Sequence, residues 1–151
     1  MQKETIRFFI FGGLILFASI LQSLGVAILG VTPNFVLTAL VMVAVLLDDI
    51  WYSLFLVALS AWLLKFSPAA GQDLLLFSLV GAIVVGIERK LPWHGFVNAL
   101  FLTVSATTIL YALIDRTTIN SILFVLELGY NILLTVVLYY GLVSFRLFRH
   151  R

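Results

Sequence analysis

Few residues in this chain could do chemistry, and the foremost is Glu127, a lone carboxylate inside an apolar run. Tyr130 and Asn131 follow at i+3 and i+4, so on a helix all three share a face. A carboxylate there is costly unless it is protonated, hydrated or hydrogen-bonded within the protein. Two readings stay open: a ligand or proton site in an outward-facing cavity, or a structural role as a bond between helices or a group partly exposed at the interface. The other candidates are weaker. Asp48 and Asp49 are adjacent, and neighbours on a helix point about 100° apart, so they do not converge on one metal ion. They read as a solvated loop. His94 and His150 lie in basic segments with no companion at ligand spacing. The hydroxyls of TVSATT, Thr103 to Thr108, fall on several faces of one helix. Such groups bond back to their own helix or across to a neighbour, and no base stands by to activate one. The chain has no cysteine, which excludes disulfides and thiolate chemistry. The pattern therefore predicts no catalytic constellation, no metal site and no cofactor.

What must position these residues is set by composition. Of 151 residues, 63% are hydrophobic and 11% charged, against roughly 45–50% and 25% in soluble domains. A soluble fold this small would lack polar residues to cover its surface, so lipid must be its solvent. The expectation is an all-α membrane protein, one integral membrane domain over residues 1–151, with no appended soluble module. The formal charge of +2 does not argue for nucleic acid, because the basic residues stand in small groups at the edges of apolar runs, where they report orientation.

A membrane span needs about 20 apolar residues. No charge interrupts Phe8 to Leu47, and GVTPN (Gly30 to Asn34) divides that run, with Pro33 suited to a helix's first turn. The spacing predicts helices near Ile6–Leu29, Pro33–Leu47, Ile50–Leu64, Gln72–Ile87, Phe96–Ile114 and Ile122–Phe145. KFSPAAGQD, LPWHG and DRTTINS supply turns. This is a compact bundle of six transmembrane helices, the third and fourth short. Full crossings are expected there, because a re-entrant hairpin would strand Lys65 in hydrocarbon at a cost of roughly 2.5–3.5 kcal/mol. Lys3 and Arg7 precede an apolar stretch too long for a secretory signal, so the first helix reads as uncleaved.

With the N-terminus inside, Lys3, Arg7, Arg89, Lys90, Arg146, Arg149 and Arg151 fall on the cytoplasmic side, and Lys65 and Arg116 outside. That asymmetry places both termini in the cytoplasm, with Arg89 and Lys90 as the cytoplasmic anchor between helices four and five. Trp51, Tyr52, Trp93, Tyr139 and Tyr140 then fall near the inner interface and Tyr111 near the outer one. Ser78, Ala82 and Gly86 recur every four residues on helix four, with Gly81 beside them. Such a ridge of small residues lets another backbone approach, within the bundle or from a partner. Gly12-Gly13 in helix one is a weaker sign of the same kind.

Three stretches carry a resemblance: TPNFVLTALV (Thr32 to Val41), LFLVALSAWLLKFSPAAGQDLLLFSLVG (Leu54 to Gly81) and VGAIVVGIERKL (Val80 to Leu91). Their order resembles the MreD family, small polytopic proteins of the bacterial rod-shape and cell-wall elongation machinery. Lys65 stands where that family often has an acidic residue, and Ala58, Ser60 and Ala61 stand where its third helix is glycine-rich. The resemblance implies a non-enzymatic scaffold in the bacterial cytoplasmic (inner) membrane, with MreC and other elongation-machinery membrane proteins as partners. The alternative is the substrate-binding S component of an energy-coupling-factor vitamin transporter. It has a similar helix number, and Glu127, Tyr130 and Asn131 would serve its ligand.

Overall fold

The computed structural model describes residues 2–28, 30–65, 73–114 and 117–145. Among the described residues there are six α-helices: α1 Gln2–Ser23, α2 Phe35–Leu46, α3 Ile50–Leu64, α4 Asp73–Glu88, α5 Gly95–Ile114 and α6 Ile122–Ser144. A single 3-10 turn, Thr118–Asn120, precedes α6. No strand occurs among these residues beyond one isolated bridge, where Ile28 and Val31 exchange backbone hydrogen bonds of 2.8 and 3.1 Å. Arg116, Arg146, Arg149, His150, Arg151 and most of the turn between α3 and α4 lie outside the described residues.

Helix ends follow local chemistry. α1 stops at Ser23, short of the Leu29 expected from hydropathy, because Gly25 takes φ +63°. The Val26 N–H then bonds Leu21 O and the Gly25 N–H bonds Gln22 O, the paired closure of a left-handed helix cap. α2 begins at Phe35 and not Pro33, because the Asn34 side chain caps it, accepting from the Leu37 N–H at 3.0 Å. Asp49 caps α3 in the same way, accepting from the Trp51 and Tyr52 N–H groups at 2.8 and 3.1 Å.

α2 is the centre of the bundle. Every residue from Val36 to Val45 is buried, and α1, α3, α4, α5 and α6 all pack against it. A helix apolar all round is one surrounded by protein. Its 12 residues measure only about 18 Å, short of roughly 30 Å of hydrocarbon. Because α2 is enclosed by its neighbours, its length does not have to match that thickness.

The outside of the bundle is apolar instead. Phe9 is 70% exposed, Leu75 79% and Val137 60%. α1, α5 and α6 are each long and apolar enough to cross a membrane, while α3 and α4 are shorter apolar helices. Apolar side chains this exposed on several faces call for lipid, so this is a multi-pass helical membrane protein.

One end of the bundle collects charge. Buried Arg7 of α1 pairs through Nη1 with Glu4 at 2.7 Å and with Asp48 at 3.2 Å. Arg89, at the end of α4, donates from Nη2 to the Asp48 carbonyl at 2.7 Å. The Asp48-Asp49 pair is therefore more than the solvated loop expected from sequence: Asp48 ties three elements together, and Asp49 starts the next helix. Rings mark the same end, with Phe8 on Tyr52 and Phe96 on Tyr139 at centroid distances of 4.9 and 5.3 Å.

Candidate functional site

The polar residues of α5 and α6 meet across the two helices as a ladder. Thr103 and Thr135 share a hydrogen bond of 2.8 Å. One turn along, Asn131 Nδ2 donates to Thr107 Oγ1 at 3.2 Å. A further turn along, the Tyr111 hydroxyl donates to the Glu127 carboxylate. The rungs recur every four residues on both helices and run in opposite directions, so one face of each antiparallel helix carries them all. Thr103, Thr107, Asn131 and Thr135 are all buried.

Asn131 does more than pair with α5. Its Oδ1 accepts from the Asn34 N–H at 2.9 Å, at the buried start of α2. A helix begins with backbone N–H groups that lack intrahelical partners, and in an apolar interior each must find an acceptor. Here the Asn34 N–H reaches Asn131, the Phe35 N–H reaches Pro33 O at 3.0 Å, the Val36 N–H reaches Gln22 Oε1 at 3.2 Å, and the Leu37 N–H reaches Asn34 Oδ1. Three side chains from α1, α6 and the cap itself close the top of the central helix. Gln22 and Asn34 are structural positions that hydropathy does not single out. The signal for them is the short spacing from a Gly25 stop to a Pro-Asn start, which leaves α2 beginning inside the bundle.

Of the sequence candidates, Glu127 and Asn131 do share a face, the one turned to α5, with Tyr130 half-buried beside them. The intimate approach on α4 belongs to Gly81. A Cβ built there would lie 3.0 Å from Val57 Cγ1 and 3.4 Å from Leu40 Cδ1, so the absent side chain lets α4 close on α2 and α3. Ser78 and Ala82 are half-buried, Ser78 bonding back to Leu74 O at 2.8 Å. Gly86 is exposed with nothing within 4 Å of a Cβ, so no close helix contact inside the bundle depends on it. Gly12 and Gly13 are similarly uncrowded. Arg89 and Lys90 are exposed at the charged end. His94 lines a small cavity there with Glu88, Trp93 and Asn98. No cluster of three or more His, Asp or Glu residues that could hold a metal ion occurs among the described residues.

Fold and site together define a class: a helical, multi-pass membrane protein with a ladder of polar groups bonded across α5, α6 and the start of α2. Beyond that class, no family model, curated protein or solved structure matches the chain.

Proposed function

We propose that the protein is a non-enzymatic membrane scaffold of the MreD type, crossing the bacterial cytoplasmic membrane six times with both termini in the cytoplasm. The observation that carries this reading is the internal use of the buried polar groups. Glu127 is engaged by Tyr111, and Asn131 spends its amide on α2 and α5. A capture site would hold such groups ready for a ligand, whereas here they lock three helices in register. The resemblance over Thr32 to Val41, Leu54 to Gly81 and Val80 to Leu91 supports the same reading. For topology, the support is that Arg7, Asp48 and Arg89 meet at one end, so α1 starts where α2 and α4 finish. The positive-inside tendency makes that end cytoplasmic. MreC and other elongation-machinery proteins are the proposed partners, and Ser78, Ala82 and Gly86 are the proposed partner face on α4.

The test joins a shape assay to a ligand assay. Expressed in a rod-shaped bacterium lacking its own protein of this kind, the chain should restore rod shape, and so should Glu127→Gln, whose side chain can still accept from Tyr111. The purified protein should show no saturable thermal shift with vitamins. Failure to restore shape, together with a vitamin shift lost in Glu127→Gln, would reverse the assignment toward a transporter S component. Topology has its own readout in a cysteine-free chain. A single cysteine introduced at Lys90 should be shielded from an impermeant thiol reagent in intact cells, and one introduced at Arg116 should be labelled.

A further inference from the structure

The perimeter of the bundle has a short side. α3 and α4 pack on each other, and α5 and α6 on each other. The 15 residues of α3 span about 22 Å and the 16 of α4 about 24 Å. The 20 residues of α5 and 23 of α6 span about 30 and 34 Å, and the hydrocarbon of a bilayer is roughly 30 Å thick. α2 is shorter still, but its neighbours enclose it. α3 and α4 have no such shelter, since Phe55, Leu75 and Leu79 are each more than half exposed.

Both ends of α3 carry groups that belong at the membrane surface. At its start the Asp49 carboxylate is held on the Trp51 and Tyr52 N–H groups, and Arg89 of α4 is drawn to the Asp48 carbonyl beside it. At its far end stands exposed Lys65. Its ammonium can reach outward along the apolar stem, which eases the mismatch at that one point. The tryptophans have no such reach. Trp51 and Trp62 lie eleven residues apart, about three turns, so they share one side of the helix. Both are turned outward, 76% and 58% exposed, and they stand only about 16 Å apart along the axis. Side chains on a helix lean toward its N-terminus, so both rings shift the same way and the separation stands. Tryptophan favours the headgroup level on each side of a membrane. In an undisturbed bilayer those levels are about a hydrocarbon thickness apart, so at most one of these rings could reach its own.

We infer that the α3–α4 side of the bundle fits a locally thinned bilayer and selects phospholipids with shorter acyl chains than α5 and α6 do. A helix shorter than the hydrocarbon draws the two lipid surfaces toward its ends. Lipid is the occupant of this face because Trp51, Trp62 and Lys65 mark its two edges with groups suited to headgroups. This thinning rests on the proposal that α3 and α4 cross fully, and it is independent of the scaffold role.

The test compares lipid selectivity at two places on one molecule. The purified full-length protein is reconstituted in phosphatidylcholine bilayers, with Trp51→Phe and Trp93→Phe leaving Trp62 as the sole tryptophan. A second protein carries Trp62→Phe as well and Val137→Trp on α6, with Leu133→Trp as a replacement probe should that one fail to fold. Quenching by brominated 18-carbon lipid, competed with unbrominated lipids of 14, 18 and 22 carbons, gives relative affinities at each probe. At Trp62 the 14-carbon lipid should compete about twofold better than the 18-carbon one. On α6 the 14-carbon lipid should hold no such advantage. The same chain-length order at both probes would overturn the inference. So would a Trp62 that brominated lipid does not quench, because a second copy or another surface would then cover α3. Full crossing has a separate readout: Lys65→Cys, the sole cysteine of its chain, should be labelled by an impermeant thiol reagent in intact cells. Protection of that cysteine would overturn the crossing and the thinning together, whereas labelling with matched chain-length orders would overturn the thinning alone.

Discussion

Asn131 concentrates more structural consequence than any other polar side chain described in the bundle, because it satisfies the start of α2 and a rung of the α5–α6 ladder at once. Its loss leaves the Asn34 N–H buried without an acceptor, a cost of about 1–3 kcal/mol. Losing the rung to Thr107 adds about 0.6 kcal/mol, the usual worth of one interhelical hydrogen bond in a membrane protein. Thr135→Val removes a rung of that smaller kind and the hydroxyl's bond back to Asn131 O of its own helix, and it strips no backbone N–H of its acceptor. Unfolding of the purified protein in mixed micelles should therefore show Asn131→Leu destabilised several times more than Thr135→Val. Equal effects would mean that the cap on α2 is not what Asn131 contributes. Glu127 poses the complementary question, whether its charge or its acceptor oxygen matters to the bundle. Glu127→Gln should unfold close to the parent protein, whereas Glu127→Leu should lose stability, and combining Glu127→Leu with Tyr111→Phe should cost less than the two single losses added. Additive losses would show that the two side chains do not act as a pair.

The helices themselves are largely legible from hydropathy, and their boundaries are legible only where local chemistry is read alongside it. α3 starts and stops at Ile50 and Leu64, as its flanking charges imply. Hydropathy makes α1 too long because an apolar Leu24 to Leu29 looks like more membrane helix, whereas Gly25 turns the chain out of the helix before it. It starts α2 at Pro33 because the proline signal outweighs the Asn34 beside it, although Asn is the better cap. The ladder is half visible. Glu127 and Asn131 stand out on α6, while Thr103, Thr107 and Tyr111 are lost among other hydroxyls, since pairing across helices leaves no mark in either periodicity alone. The mirrored four-residue spacing is the available clue. Small residues carry a different signal: repetition points to Ser78, Ala82 and Gly86, and the close approach within the bundle is made at Gly81 beside them. Packing thus separates two substitutions of one kind. Gly81→Leu drives a side chain into Val57 and Leu40 and should cost about 1–3 kcal/mol. Gly86→Leu meets open space and should fold normally. The readout is monodisperse yield in detergent, with partner recovery from native membranes measured on Gly86→Leu alone. A folded Gly81→Leu with parent-like stability would mean that α4 sits farther from α2 and α3 than the structure places it.

The molecule as a whole inverts the arrangement of a soluble protein: a short central helix is sealed on every side, and the helices around it turn apolar faces outward. Enclosure relieves α2 of matching the bilayer, and the same enclosure obliges its ends to be satisfied by protein, which is the reason Gln22, Asn34 and Asn131 converge on its start. At its other end, the Arg7–Asp48 pair and the Arg89 bond to the Asp48 carbonyl hold α1 and α4 to the α2–α3 junction. A helix with protein on all sides has no permissive face, whereas a helix at the perimeter has one that only lipid touches. Tryptophan scanning should separate the two. Substitution at Leu37, Leu40, Met42 and Val43 of α2 should abolish folded yield at every position, because all four are buried and a larger ring has nowhere to go. On α6, Trp should be accepted at Leu123, Leu133 and Val137, each more than half exposed, and rejected at Asn131, Thr135 and Leu142. Fluorescence of the accepted α6 tryptophans should be quenched by brominated lipid chains, which only residues facing hydrocarbon can meet. Tolerance recurring along α2 with the helical period would show that one of its faces reaches lipid, and the enclosed-hub arrangement would then be wrong.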